Sequence, residues 1–167
     1  MKIHALTTAA LTLFAQPSFA DITVRFIESA PKDRFVISSD TCPLNNVDML
    51  IDLSGSAGGL IFDVTAAGAG VEVFQPVLAQ QGDATIATVS DGDQQLSFMI
   101  HDLQADEDII VSAELDDVLP NSSLGQIRVA DAELDGATVQ ITIAGMRETA
   151  AFQDGADTVT LPHRCLS

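Results

Sequence analysis

Asp91, Asp93, Asp116 and Asp117 are the side chains whose type and spacing most invite a chemical reading. If Gln94 to Leu103 and Ile109 to Leu115 pair as a hairpin, these four aspartates gather at its open end. Asp102, Asp106, Glu107 and Asp108 then lie at its turn, and a seven-residue strand of about 23 Å keeps the two sets from sharing an ion. A return strand over Gln126 to Leu134 would add Asp131, Glu133 and Asp135 to the turn end. Calcium takes six to eight oxygen ligands, supplied by carboxylates and carbonyls on loops. The quartet at the open end could form such a site, with the other end as the second choice; the plainer reading of both ends is a solvated acidic rim with no cofactor. An EF-hand is excluded, because no Asp-x-Asp-x-Asp-Gly loop with a downstream Glu occurs.

Other chemistries find less material. A glycosidase needs two carboxylates flanking a cleft, and sugar clefts usually present aromatic faces, yet the chain has no Trp and no Tyr. Nucleophilic catalysis needs a base beside Ser or Cys. Neither His101 nor His163 lies in a Gly-x-Ser-x-Gly or similar context. Zinc-type ligand spacing is missing as well. No catalytic residue is assigned and the reading is of a non-enzyme. A formal charge of −17 argues against nucleic acid, whose binding relies on cationic side chains that neutralise phosphates. Cations, basic protein surfaces and surface glycans remain as partners.

The elements that must position these residues show period-two patterning. Val139, Ile141 and Ile143 alternate with Thr138, Gln140 and Thr142, as in a strand with one buried and one wet face. Ile22 to Phe26, Val47 to Leu53, Leu60 to Val64, Leu96 to Ile100 and Ile109 to Leu115 follow the same rule. Weaker strands are expected at Phe35 to Ser38, Val71 to Phe74, Thr85 to Val89, Gln126 to Asp131 and Thr158 to Leu161. Turn residues such as Pro43-Leu-Asn-Asn46, Asp91-Gly-Asp93 and Asp154-Gly155 separate them. Many short strands at this spacing predict one all-β domain, an antiparallel β-sandwich of immunoglobulin-like or jelly-roll-like type. Within it, Thr65-Ala-Ala-Gly-Ala-Gly70 reads as the link between two neighbouring strands, with glycines that shape the backbone rather than grip phosphate.

The ends of the chain speak of export. Met1-Lys2, the apolar run Ile3 to Phe14 and Ser18-Phe19-Ala20 have the order of a secretory signal peptide. Residues 1–20 would be removed after Ala20, leaving Asp21 to Ser167 as the domain, with a formal charge near −18 once Lys2 is gone. No later stretch is long and apolar enough for a membrane span. In an exported protein the lone pair Cys42 and Cys165 is most simply one disulfide.

The stretches Ala30-Pro-Lys-Asp-Arg-Phe35, Asp52-Leu-Ser-Gly-Ser-Ala-Gly-Gly-Leu-Ile-Phe-Asp-Val64 and Gly70-Val-Glu-Val-Phe-Gln-Pro76, behind a signal peptide running into Asp21-Ile-Thr-Val, carry a resemblance. The chain resembles small exported alphaproteobacterial proteins named for their similarity to the aggregation factor core of sponges. The resemblance brings no assigned functional residue. It implies, by analogy with the calcium-dependent adhesion of the sponge proteins, an extracellular recognition role. The expectation is thus a secreted or periplasmic recognition, cell-surface or adhesion module, assisted by calcium. An assembly partner that pairs through a sheet edge is the alternative, and a carboxylate-based hydrolase the third reading.

Overall fold

A computed structural model describes residues 19–29, 32–70, 75–120, 122 and 124–165. Twelve strands are present: β1 (Phe19–Ile27), β2 (Asp33–Ser39), β3 (Leu44–Asp52), β4 (Ile61–Phe62), β5 (Leu78–Gln81), β6 (Asp83–Ile86), β7 (Gln95–Leu103), β8 (Asp108–Ala113), β9 (Leu115–Asp116), β10 (Thr138–Ile143), β11 (Met146–Ala151) and β12 (Thr158–Arg164). They form two five-stranded antiparallel sheets, ordered β12-β1-β2-β8-β5 and β11-β10-β3-β7-β6, with β4 and β9 as a separate short pair. The expected β-sandwich is the observed fold.

Alternation explains the layers. Val24, Phe26, Phe35, Ile37 and Val111 point inward from the first sheet and meet Met49, Ile51, Leu96, Phe98 and Ile141 from the second. The ring centroids of Phe26 and Phe35 lie 5.4 Å apart on the first sheet's inner face. Thr, Ser, Gln and charged residues occupy the intervening positions, so each sheet buries one face and wets the other. β5 and β6 follow one another across the bend at Gly82, and they carry the chain from one sheet to the other at the sandwich's side.

Three expectations need correction. β7 and β8 are not a hydrogen-bonded hairpin: β7 pairs with β3 and β6, and β8 with β2 and β5, so residues 104–107 cross between the sheets. The two acidic sets are still held at opposite ends, because both strands run the full height of the sandwich. Residues 126–131 form a turn rather than a strand, since Asp117 N–H and Arg128 N–H bond the carbonyls of Gln126 and Gly125 and curl the segment on itself. Asp131, Glu133 and Asp135 therefore belong to the open end, where Asp131–Leu134 make one turn of 3-10 helix. Of Leu60 to Val64 only Ile61–Phe62 pair as a strand, with β9 as partner. The expected strand Val71 to Phe74 lies outside the described residues, as does most of the expected signal peptide. Cleavage after Ala20 would fall inside β1, removing the pairs that Phe19 and Ala20 make with Arg164 and His163.

The connections divide by end. One end carries the short turns at residues 40–43, 104–107 and 144–145, together with the Cys42–Cys165 disulfide, whose Cα atoms are 5.8 Å apart. The other carries the connections from β1 to β2, β3 to β5, β6 to β7, β8 to β10 and β11 to β12, the long ones among them. Among the described residues no helix is long and apolar enough to cross a membrane.

Candidate functional site at the loop end

Asp33, Asp63, Glu114, Asp116 and Asp117 are all buried at the loop end. Five buried acids in one region are unusual, because an ionised carboxylate removed from water is costly unless it is paired. Asp33 opens β2 on the inward-facing parity of Phe35 and Ile37, so its carboxyl points under the rim. There it accepts the N–H groups of Ser29 at 3.0 Å and Leu115 at 3.2 Å. Asp63 follows β4, and Asp116 lies in β9; pairing of these strands, with the Asp63 N–H bonded to the Glu114 carbonyl at 3.1 Å, brings the segments together.

Burial pushes the Asp33 carboxyl up to about 7, against the pull of its two N–H donors and with help from the charges of Glu28 and Asp116. Burial likewise pushes Glu114 up to about 8, reinforced by Asp33, Asp116 and Asp63 and opposed by Lys32. Lys32 is held below its ordinary value by burial, the Glu114 charge opposing. Its ammonium donates to the Pro76 carbonyl at 2.7 Å. One Glu114 oxygen, Oε2, and one Asp117 oxygen, Oδ2, are buried with no hydrogen-bond partner.

The glycine-rich link around residues 65–70 wraps a carboxylate of its own chain. Asp91 accepts the N–H of Ala69 at 2.6 Å on one oxygen, and those of Val64 at 3.1 Å and Thr65 at 3.2 Å on the other. These donors, Ala69 foremost, hold Asp91 below the usual carboxylate range, and the Asp63 side chain also hydrogen-bonds it. A Cβ on Gly68 would collide with Asp91 Oδ2, and one on Gly70 would collide with Asp116 Oδ2 and come within 3.1 Å of the Asp63 Cβ. Both glycines have positive φ, 133° and 76°. They are shaped for close approach of backbone to carboxylate, which makes the link a loop built around acids rather than a hairpin turn.

The sequence-predicted calcium quartet is divided by this arrangement. Asp91 and Asp116 flank Asp63 beneath the link at residues 64–70. Asp93 instead closes its own turn, accepting the Ser90 N–H at 2.7 Å. Asp117 points its Oδ1 at the Leu119 N–H, 2.9 Å away. Among the described residues no three His, Cys, Asp or Glu side chains stand as a ready-made metal-ligand set. Sequence reasoning passed over Asp33, Asp63 and Glu114, yet each had a signal: an acid on the inward parity of a strand, or one embedded in an apolar run such as Leu60 to Val64.

Above these acids, residues 117–120 and 124–128 lie against one another and expose apolar side chains. Val118 is 52% exposed, Leu119 38%, Leu124 49% and Ile127 48%. The segment is fastened by Asp117 N–H to the Gln126 carbonyl at 3.0 Å and Val118 N–H to the Gly58 carbonyl at 3.3 Å. Arg128 clamps it to β1 through a bidentate pair with Glu28 at 2.9 and 3.1 Å. These four large apolar groups stand in water on one loop, a grouping of the kind that contact surfaces use.

The remaining surface is plainer. Two open depressions, of about 520 and 590 Å³, run over the outer face of the second sheet past Gln95, Ser97, Met99 and Gln140. His101 lies beside them and shares a 2.7 Å hydrogen bond with Thr85 Oγ1. His163 is buried near the disulfide, and that burial lowers its pKa.

Compared with known protein families, with curated proteins and with solved structures, the chain finds no match. The functional reading therefore rests on the chain's own chemistry.

Proposed function

We propose that this chain is an exported, non-enzymatic recognition module of cell-surface or adhesion type, which meets its partner with the loop end of the sandwich. The observation that carries this reading is the rim of Val118, Leu119, Leu124 and Ile127: among the described residues, only Leu78, Met99 and Met146 are other large apolar groups so exposed. Contact surfaces place apolar groups at their centre and polar ones around them. With a formal charge of −17 across the chain, the fitting partner is a protein surface that offers apolar pockets within a basic border. A disulfide is consistent with an oxidising compartment, and an export signal at residues 1–20 completes the assignment to periplasm or cell exterior.

The alternative of assembly through a sheet edge has less support. β5 and β6 are short, β11 carries Arg147 and Glu148, and β12 contains Pro162, all features that discourage strand addition. A hydrolase reading would need a cleft that reaches paired acids. The two open depressions described among these residues are lined by neither Asp33 nor Glu114.

The test is saturable binding of the labelled, signal-free protein to intact alphaproteobacterial cells. Replacing Val118, Leu119, Leu124 and Ile127 with serine is expected to abolish binding while leaving the melting temperature unchanged. Serine at Leu78 and Met146 should leave binding intact. Equal binding by both variants would refute the assignment of the rim.

A further inference from the structure

We infer that the apolar rim also docks on a second copy of this chain, against the outer face of its first sheet. This rests on the rim being a contact surface, and it names one partner for it.

The chemistry that the rim asks of a partner, apolar groups bordered by cations, is present on the chain itself. Positions that alternate with Val24, Phe26, Phe35, Ile37 and Val111 turn outward from the first sheet. Strand register sets Arg25 beside Val36, and Val36 beside Ile110. In the next row Arg34 lies between Ile27 and Ser112, and Leu78 of β5 follows, 49% exposed. Neither row contains an acid. Asp21 and Asp108, the acids of outward parity in β1 and β8, lie at the turn-end margin of the face.

The two arginines are without counter-charge. They occupy a diagonal of β1 and β2, where side chains stand about 7–8 Å apart, a spacing at which two guanidinium groups can share one carboxylate. In a chain with 24 acids, neither is in an ion pair among the described residues, and Arg34 Nε is buried without a hydrogen-bond partner. An incoming carboxylate supplies what the fold leaves out.

The rim carries such carboxylates at its border. Glu133 and Val118 flank Gly58: the Gly58 N–H bonds the Glu133 carbonyl at 2.9 Å, and the Val118 N–H bonds the Gly58 carbonyl at 3.3 Å. Glu133 Oε1 also accepts the Ser122 hydroxyl at 3.1 Å, and Asp131 is exposed on the same 3-10 turn. Arg128, the rim's own cation, is already paired with Glu28. Apolar groups edged by acids thus meet apolar groups edged by arginines, the kind of complementarity that fixes register between partners. The outer face of the second sheet is a poorer host, because its central strand β3 presents Asp48 and Asp52.

The contact is heterologous, using the rim of one copy and the sheet face of the next, so each pair keeps one rim and one face free. A copy held to a cell by its rim turns only its face outward, and further copies also arrive rim first. The net charge repels copies at a distance, but in about 0.15 M salt charges more than about 8 Å apart are largely screened.

The experiment is sedimentation of the signal-free protein in about 0.15 M salt, at concentrations from about 10 μM to 1 mM. The weight-average mass is expected to rise with concentration to at least twice that of the monomer. Arg25→Glu combined with Arg34→Glu, and separately serine at Val118, Leu119, Leu124 and Ile127, should each hold the chain monomeric. Arg25→Glu alone, at an exposed position, keeps the test open if the double change impairs folding, and should weaken association about tenfold. Arg147→Glu, the same charge change on β11, should associate as the unaltered chain does. Mixed one to one, the arginine and rim variants each supply the half that the other lacks and should form a dimer that grows no further. An unaltered chain that stays monomeric throughout overturns the proposal, as does association that survives in either variant or a mixture that remains monomeric. A rim that binds cells but no second copy would leave the recognition reading whole and remove this inference alone.

Discussion

The two ends of the sandwich are built on opposite principles. At the turn end, strands reverse through connections of two to four residues, and a disulfide joins residues 123 apart in sequence. At the loop end, long connections bury five carboxylates, Asp63 and Asp116 among them against a glycine-rich link, and hold four apolar side chains out to water. The first arrangement lowers the entropy of the unfolded chain and keeps the sheets in register. The second retains unfavourable charge and exposed apolar surface, both of which cost stability. Features of that kind persist where structure is given over to contact or ligand. The framework and the proposed contact surface thus lie at opposite ends of the strand axis.

This contrast can be broken in measurable ways. The largest effect belongs to the turn end: replacing Cys42 and Cys165 with serine should cost about 2–5 kcal/mol, measured by urea unfolding, because closure of so long a loop strongly restricts the unfolded chain. Unchanged stability would show that the turns alone hold that end.

The next effect belongs to the loop end and has the opposite sign. Asp33 and Glu114 have folded values of about 7 and about 8, raised above ordinary values of 3.8 and 4.5. The folded protein therefore binds these protons more tightly than the unfolded chain does. Their stabilising contribution is complete below about pH 4 and is lost as pH rises through 7 to 8. In chelator, the Tm at pH 5.5 should exceed that at pH 8.5 by roughly 4 °C or more, and Glu114→Gln should shrink the difference. A Tm that rises toward pH 8.5 would contradict the burial of these acids.

Smaller still, Asp91→Ala leaves the N–H groups of Val64, Thr65 and Ala69 without their acceptor. It should open the link at residues 64–69 to limited proteolysis before the rest of the chain. Arg128→Ala removes an exposed ion pair and should leave the Tm nearly unchanged.

The framework was the legible part. Alternation at Val139-Gln140-Ile141, at Leu96 to Ile100 and at Val47 to Leu53 marked central strands, because a half-buried sheet imposes period two on its own side chains. The cysteine pair was legible for a simpler reason, having no other partner. β5 (Leu78–Gln81) and β11 (Met146–Ala151) went unseen: both are edge strands, and neither shows a clean apolar alternation for a pattern to report. Gln126 to Asp131 reads as a strand because Ile127 and Val129 alternate with polar residues, yet Ile127 faces water as part of the rim and only Val129 is buried. At the loop end, proximity of Asp91 to Asp116 could be read from strand lengths. The part played by Asp63 could not, because it depends on a link that folds around carboxylates and on a short β4–β9 pair formed outside both sheets.

Protection factors from hydrogen exchange of the signal-free protein at pH 5.5 and at pH 8.5 test the division most directly, since they report both ends in one measurement. The account predicts that the higher pH lowers protection around Asp33 and residues 114–117 while residues 104–107 and 144–145 keep theirs. Loss of protection at the turn end alone, or no change at either end, would contradict it.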